Sequence, residues 1–267
     1  MIDLGIGPVG VTLPPTTLHI DELDLLVELL GVDELPVVLD AGPRFDFPAD
    51  RDAVFAAARA SLGGAGLVDA SDGTSVHPDL ARQLHVLARP HCEIAVRRHG
   101  NGAVYRACLA RGADGTVLAS RSDDTVTLRS IDDDPVGPLA HLLGISAPLP
   151  FSGINCPTAD LVAAIDSATD PRRTVDALVA VGAKTADAAV VGPALVDRPT
   201  VAEIVGLTHG NGGTPHPHGP VTVFDTAIGR IVGTTGTAAD GVRWTSLAPG
   251  TPGRLRQALL DLLDAAA

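Results

Sequence analysis

His209, His216 and His218 stand on either side of Gly210-Asn211-Gly212-Gly213 and are the chain's nearest approach to a metal-ligand set. Zinc sites take such imidazoles from rigid elements and complete them with a defined fourth ligand. No fourth partner is visible in this Gly/Pro-rich stretch, which reads as a hairpin loop. A hydrolase or metal-binding enzyme using the His209 to His218 loop is therefore the alternative reading, and no metal ligand is assigned. Gly5-Ile6-Gly7-Pro8-Val9-Gly10 spells G-x-G-x-x-G. A dinucleotide site needs a strand before that motif and a helix opening at its last glycine, whereas Val11-Thr12-Leu13-Pro14-Pro15 follows here.

The other polar clusters have plainer readings. Val181-Gly182-Ala183-Lys184-Thr185 lacks the adjacent Gly-Lys of a phosphate loop and sits among helical alanines. Asp123-Asp124 falls at a turn, and Asp132 to Asp134 precedes Pro135 as a helix start. Cys92 neighbours His91, but side chains of adjacent strand residues point to opposite faces. No G-x-S-x-G elbow occurs. No catalytic residue and no cofactor is expected.

The elements that must position any site are legible from periodicity. Residues 91 to 130 give four short alternating runs separated by Gly, Asn and Asp turns, the pattern of an antiparallel meander. Before it, Val9 to Leu13 suits a short strand. Leu23, Leu26, Val27 and Leu30 have helical spacing and stop at Gly31, and Val37 to Leu39 reads as extended after Pro36. Helices are predicted from Pro48, with Phe55, Ala58 and Leu62 inward, and from Pro78, with Leu80, Leu84 and Leu87 inward. In the meander Ile94, Val96 and Arg98 alternate against Ala95, Arg97 and His99, and Val126 and Leu128 against Thr125, Thr127 and Arg129, so one sheet face is expected to carry helices and the other to be exposed or offered to a partner.

The second half repeats the plan. An extended segment at Phe151 to Cys156 leads to helices at Pro157 and Pro171 and an alanine-rich helix over 183–192. Strand-like runs follow at Glu203 to Thr208, Val221 to Thr226, Gly229 to Gly233 and Val242 to Leu247. Thr251-Pro252 opens a last helix with Leu255, Ala258, Leu259, Leu262 and Leu263 on one stripe. The expected fold is α/β of the α+β kind: a central antiparallel sheet with flanking helical bundles and quasi-two-fold duplicated halves, 1–147 and 148–267, in one compact unit.

Composition narrows the function. With 19 basic and 32 acidic residues the net charge is −13, which repels nucleic acid and anionic membrane surfaces. Aromatic residues make up only 3%, too few for base-stacking platforms. The chain begins without a basic, then apolar, secretory pattern, and no apolar run approaches the roughly 20 residues of a membrane span. Three widely spaced cysteines fit a reducing compartment. A cytoplasmic protein is expected, with no nucleic-acid partner and no membrane insertion.

Several segments together resemble the EspG family of ESX (type VII) secretion-associated proteins of actinobacteria. They are the Leu23 to Gly31 helix running into Glu34-Leu35-Pro36-Val37-Val38-Leu39, then Gly66-Leu67-Val68-Asp69, and Pro78-Asp79-Leu80 through Leu87-Ala88-Arg89-Pro90. The last is the ending from Asp240-Gly241-Val242-Arg243-Trp244 through Leu247-Ala248-Pro249-Gly250. The resemblance implies a specificity chaperone for helical secretion substrates of PE-PPE or WXG100 type, whose apolar tip is shielded until export. It implies no nucleotide and no metal, and a monomer or weak homodimer is expected. The family carries no short site signature, so contact residues are placed by strand geometry. Arg106, Thr127 and Arg129 fall on the polar sheet face, with Thr222 and Phe224 as counterparts in the second half; the other reading of all five is solvated surface.

Overall fold

Among the described residues, ten strands form one antiparallel sheet whose order follows from two meanders laid side by side. The computed structural model describes residues 13–267 apart from 43, 46, 101, 167–169, 198–199 and 211–213. The Gly5 to Gly10 motif lies outside these residues. So does most of the Val9 to Leu13 run, and the first described strand follows the two prolines instead. The first half comprises β1 (Thr16–His19), α1 (Ile20–Leu30), α2 (Pro48–Gly64), α3 (Pro78–Ala88), β2 (Cys92–Gly100), β3 (Ala103–Gly112), β4 (Gly115–Ser122), β5 (Thr125–Ile131) and α4 (Gly137–Leu142). The second comprises β6 (Ile154–Pro157), α5 (Thr158–Asp166), α6 (Pro171–Ala180), α7 (Thr185–Val196), β7 (Thr200–Thr208), β8 (His216–Thr226), β9 (Gly229–Thr237), β10 (Arg243–Pro249) and α8 (Pro252–Ala266).

The strand order β1-β5-β4-β3-β2-β7-β8-β9-β10-β6 reads the same outward from the centre in both directions. Each half contributes a meander and an edge strand that precedes it in sequence. The halves join where β2 pairs with β7, Val96 opposite Ile204 and Arg97 opposite Glu203. This is the quasi-two-fold duplication expected from the sequence.

Helix ends sit where the punctuation residues put them. Glu22 accepts a hydrogen bond from the His19 N–H at 2.7 Å, and Gly31 closes α1 at φ +60°, a left-handed conformation natural to glycine. Thr251 caps α8 through the Arg254 N–H. Val37 to Leu39 is not extended. Val37–Leu39 forms a 3-10 turn, with Leu39 N–H donating to the Pro36 carbonyl at 2.9 Å. A short apolar run with no strand beside it satisfies its backbone locally, while fully buried Leu39 anchors it to the sheet.

Both sheet faces carry helices, contrary to the one-sided expectation. On the face called the back, α4 and α8 cover a core of Ile94, Val96, Leu109, Ile204 and Val223. On the front, α1 to α3 cover the first half over Leu18, Cys108, Ala110, Val126 and Leu128. The front of the second half lies under α5 to α7, over Ile154, Phe224, Ile231 and Leu247. The physical reason is the small residues. Ala107 and Leu109 face back while Cys108 and Ala110 face front, all four buried, so β3 is packed from both sides by side chains too small to read as an apolar stripe. Each fully buried leucine of α8, such as Leu259, contributes roughly 1.5–3 kcal/mol relative to exposure.

The α6–α7 contact depends on one glycine. A Cβ on Gly192 would lie 2.8 Å from Val175 Cγ2 and 3.1 Å from the Val175 backbone nitrogen. Gly192→Ala would gain about 0.8–1 kcal/mol of helix propensity. Forcing two packed helices apart costs about 1–3 kcal/mol. The clash is expected to win, so the variant unfolds at lower urea with an unchanged slope; a raised midpoint would refute the close-packing account.

Candidate functional site

Between the two front helix groups, β2 and β7 are left uncovered. A row of front-facing residues crosses the sheet there. Cross-strand register places Arg121 beside Arg106, Arg106 beside Arg97, Arg97 beside Glu203, and Glu203 beside Thr222. The register is a consequence of the β2–β7 pairing, which brings residues more than a hundred positions apart into contact. At one side the Val37–Leu39 turn stands over β2, β3 and β4. Val37 at its tip is 87% exposed.

The charges of this row are not equivalent. Arg106 is tied to Asp40 at 3.1 Å, and Arg121 donates to the Leu39 carbonyl at 2.9 Å and to the Asp40 carbonyl. These two arginines hold the turn against the sheet. Arg97 and Glu203 are exposed and, among the described residues, make no ion pair. They are the charges free to meet a partner.

One strand end of the cleft is closed by a buried carboxylate. Glu93 is 3% exposed, accepts from the Cys108 thiol at 3.4 Å and stands 3.7 Å from His209 Nε2. Burial first, then the charge of Glu93, pushes the Cys108 thiol well above its usual range. A fully buried, protonated thiol is not a nucleophile at neutral pH. His218 lies on the other side of the sheet, where its Nε2 is 2.8 Å from Thr208 Oγ1, which itself donates to the Ala266 carbonyl at the end of α8. His209 and His218 therefore do not converge, and among the described residues no group of three or more His, Cys, Asp or Glu is arranged to hold a metal ion.

The five residues placed from sequence separate in the structure. Arg106 and Thr222 lie in the front row. Thr127 and Arg129 point to the back, beyond the reach of α4 and α8, where Thr127 shares a 2.9 Å hydroxyl contact with Thr17 and Arg129 is exposed. Phe224 faces front but is only 8% exposed, inside the core under α5 to α7. Sequence reasoning passed over Arg97 and Glu203, because an exposed charge on a strand has no distinguishing periodicity. The run Arg97-Arg98-His99 at the end of an apolar strand was the available signal.

The arrangement is an α+β scaffold with an open, charged sheet strip and an exposed apolar tip beside it. The chain belongs to the EspG family, whose model matches residues 19–261. It is similar to the ESX-3 secretion-associated protein EspG3 of Mycolicibacterium smegmatis (strain ATCC 700084 / mc(2)155), with 27% identity over 244 residues, 90% of this chain and 83% of that protein. Its fold is similar to the type VII secretion system chaperone EspG5 of Mycobacterium tuberculosis, solved in complex with a PE25-PPE41 dimer. That likeness has a TM-score of 0.75 at 19% identity and covers 94% of this chain and 97% of that one. No helix among the described residues is long and apolar enough to cross a membrane.

Proposed function

We propose that this protein is a cytoplasmic specificity chaperone that binds helical ESX substrates of PE-PPE or WXG100 type and keeps them soluble for export without catalysing a reaction. The observation that carries this reading is the near full-length likeness to EspG5, a chaperone seen holding a PE-PPE dimer. Family membership across residues 19–261 supports it. The cargo surface we assign is the front strip, with Arg106 and Thr222 as its retained sequence candidates, joined by Arg97, Glu203 and Val37. Phe224 acts as packing beside it under α5 to α7, and Thr127 and Arg129 form a separate back-face patch. The matching strand order supports treating 1–147 and 148–267 as related halves of one unit.

The physical logic is that an apolar helical tip, which would otherwise aggregate, is covered by a partly apolar sheet face and the neighbouring Val37. Free Arg97 and Glu203 would select tips with complementary charge. Co-expression with PE-PPE-type pairs from the same organism is expected to give a stoichiometric complex on size exclusion, while the substrates alone precipitate. Failure of every such pair and every WXG100-type protein to co-elute would remove the proposal.

A further inference from the structure

The negative charge of the chain is concentrated at one end. Between residues 20 and 80, thirteen acids stand against three arginines. There α1, the segment after it and the start of α2 enclose a cavity of about 330 Å³, with Val27, Leu35, Phe45 and Phe55 among its walls. A second hollow of about 320 Å³ shares Asp33, Glu34 and Leu35 with it and runs on past Val37. Together they make one groove with an apolar wall of Val27, Leu35, Phe45 and Phe55 and charged residues around it.

The charges inside the groove are already committed. Asp24 holds Arg44 at 2.8 Å, and Glu28 holds Arg51 at 3.2 Å. The same arginines lie over the rings of Phe45 and Phe55, at 5.4 and 5.6 Å from their centroids. Phe45 and Phe55 meet edge to face at 5.9 Å. The groove wall is therefore apolar and internally neutralised. Asp33 and Glu34, both exposed and both lining the two hollows, make no ion pair among the described residues. Phe47, 67% exposed, lies on the same stretch of chain.

We propose that this groove is a second docking site, adjoining the front strip at Val37, and that it takes a basic amphipathic helix of a protein partner. The apolar face of such a helix fills the hollow between Leu35 and the phenylalanines. Its lysines or arginines, one turn away, meet Asp33 and Glu34. The free charge separates the two sites: the front strip offers one arginine and one glutamate, Arg97 and Glu203, whereas two free carboxylates, Asp33 and Glu34, rim this groove. A second copy of the chain is the poorer occupant, because two molecules of net charge −13 repel.

The probe is a labelled helical peptide of leucine and lysine, roughly 14 residues long so that it can complete several turns, titrated into the full-length protein. The same peptide with glutamate for lysine is expected not to bind. An acidic protein attracts any cation, so the deciding comparison is between two variants of equal charge. Asp33→Lys with Glu34→Lys is expected to weaken the lysine peptide by about tenfold or more, and Asp261→Lys with Asp264→Lys on α8 by less than about twofold. Equal losses in both variants, or none in the first, overturn the proposal. A concentration-dependent dimer in sedimentation that only the groove variant abolishes would assign the groove to a second copy and overturn it as well.

Discussion

Arg230→Ala is expected to lower the stability of this protein by about 3–5 kcal/mol, the largest single effect in the fold. Arg230 is 4% exposed and uses four of its five N–H donors. It forms a two-pronged pair with Asp225, at 2.6 Å through Nε and 2.9 Å through Nη2. It also donates to the Leu143 carbonyl at 2.7 Å and the Gly144 carbonyl at 2.9 Å. It thus satisfies the two carbonyls that follow α4 from a strand of the other half, bridging the two halves in one residue. Alanine leaves the Asp225 carboxylate with only Arg98 at 3.8 Å, and leaves two carbonyls without their donor. Arg230→Lys keeps the charge and loses the fork, so an intermediate loss is expected. Urea titrations check this: an Arg230→Ala midpoint within error of the unaltered protein would mean that the bridge contributes nothing.

The second large effect concerns binding. Arg97→Glu is expected to weaken binding of a PE-PPE-type dimer by roughly 1.4–2.8 kcal/mol, between about tenfold and a hundredfold, because reversing a charge that cargo desolvates costs both the attraction and the pairing. Stability should change by no more than about 0.5 kcal/mol, since the residue is exposed and holds nothing in the free protein. Arg106→Glu is a poorer probe. It would break the Asp40 contact at 3.1 Å and loosen the Val37–Leu39 turn, mixing a structural loss with a binding one.

The elements of this fold were largely legible because they are local. Prolines at the starts of α2, α3, α6 and α8, glycine after α1 and the turn-separated runs of 91 to 130 each act within a few residues. The relation between strands was not. Period two tells which residues of one strand share a face, but only register tells which face that is in the next strand, and a slip of one residue inverts it. Arg106 was grouped with Thr127 and Arg129 for that reason. Register pairs Ala107 with Ser120 and Ser120 with Thr127, so Thr127 faces back with Ala107 while Arg106 faces front. The same limit hid the cleft. Arg97 and Glu203 meet only through the β2–β7 seam, and no local pattern announces that the two halves join there. Polarity also varies along the strands as well as across them: β2 is buried from Cys92 to Ile94 and opens at Arg97. An alternation template averages over that gradient.

The claim at the centre of this account is that cargo sits on the front strip at the seam of the two halves. Titration calorimetry of one purified PE-PPE-type dimer into the unaltered protein, Arg97→Glu and Arg129→Glu tests it most directly. The account predicts a loss of about tenfold or more for Arg97→Glu and less than about twofold for the back-facing Arg129→Glu, with all three proteins equally folded. The reverse order, with Arg129→Glu impaired and Arg97→Glu unaffected, would place the cargo on the back face and contradict the account.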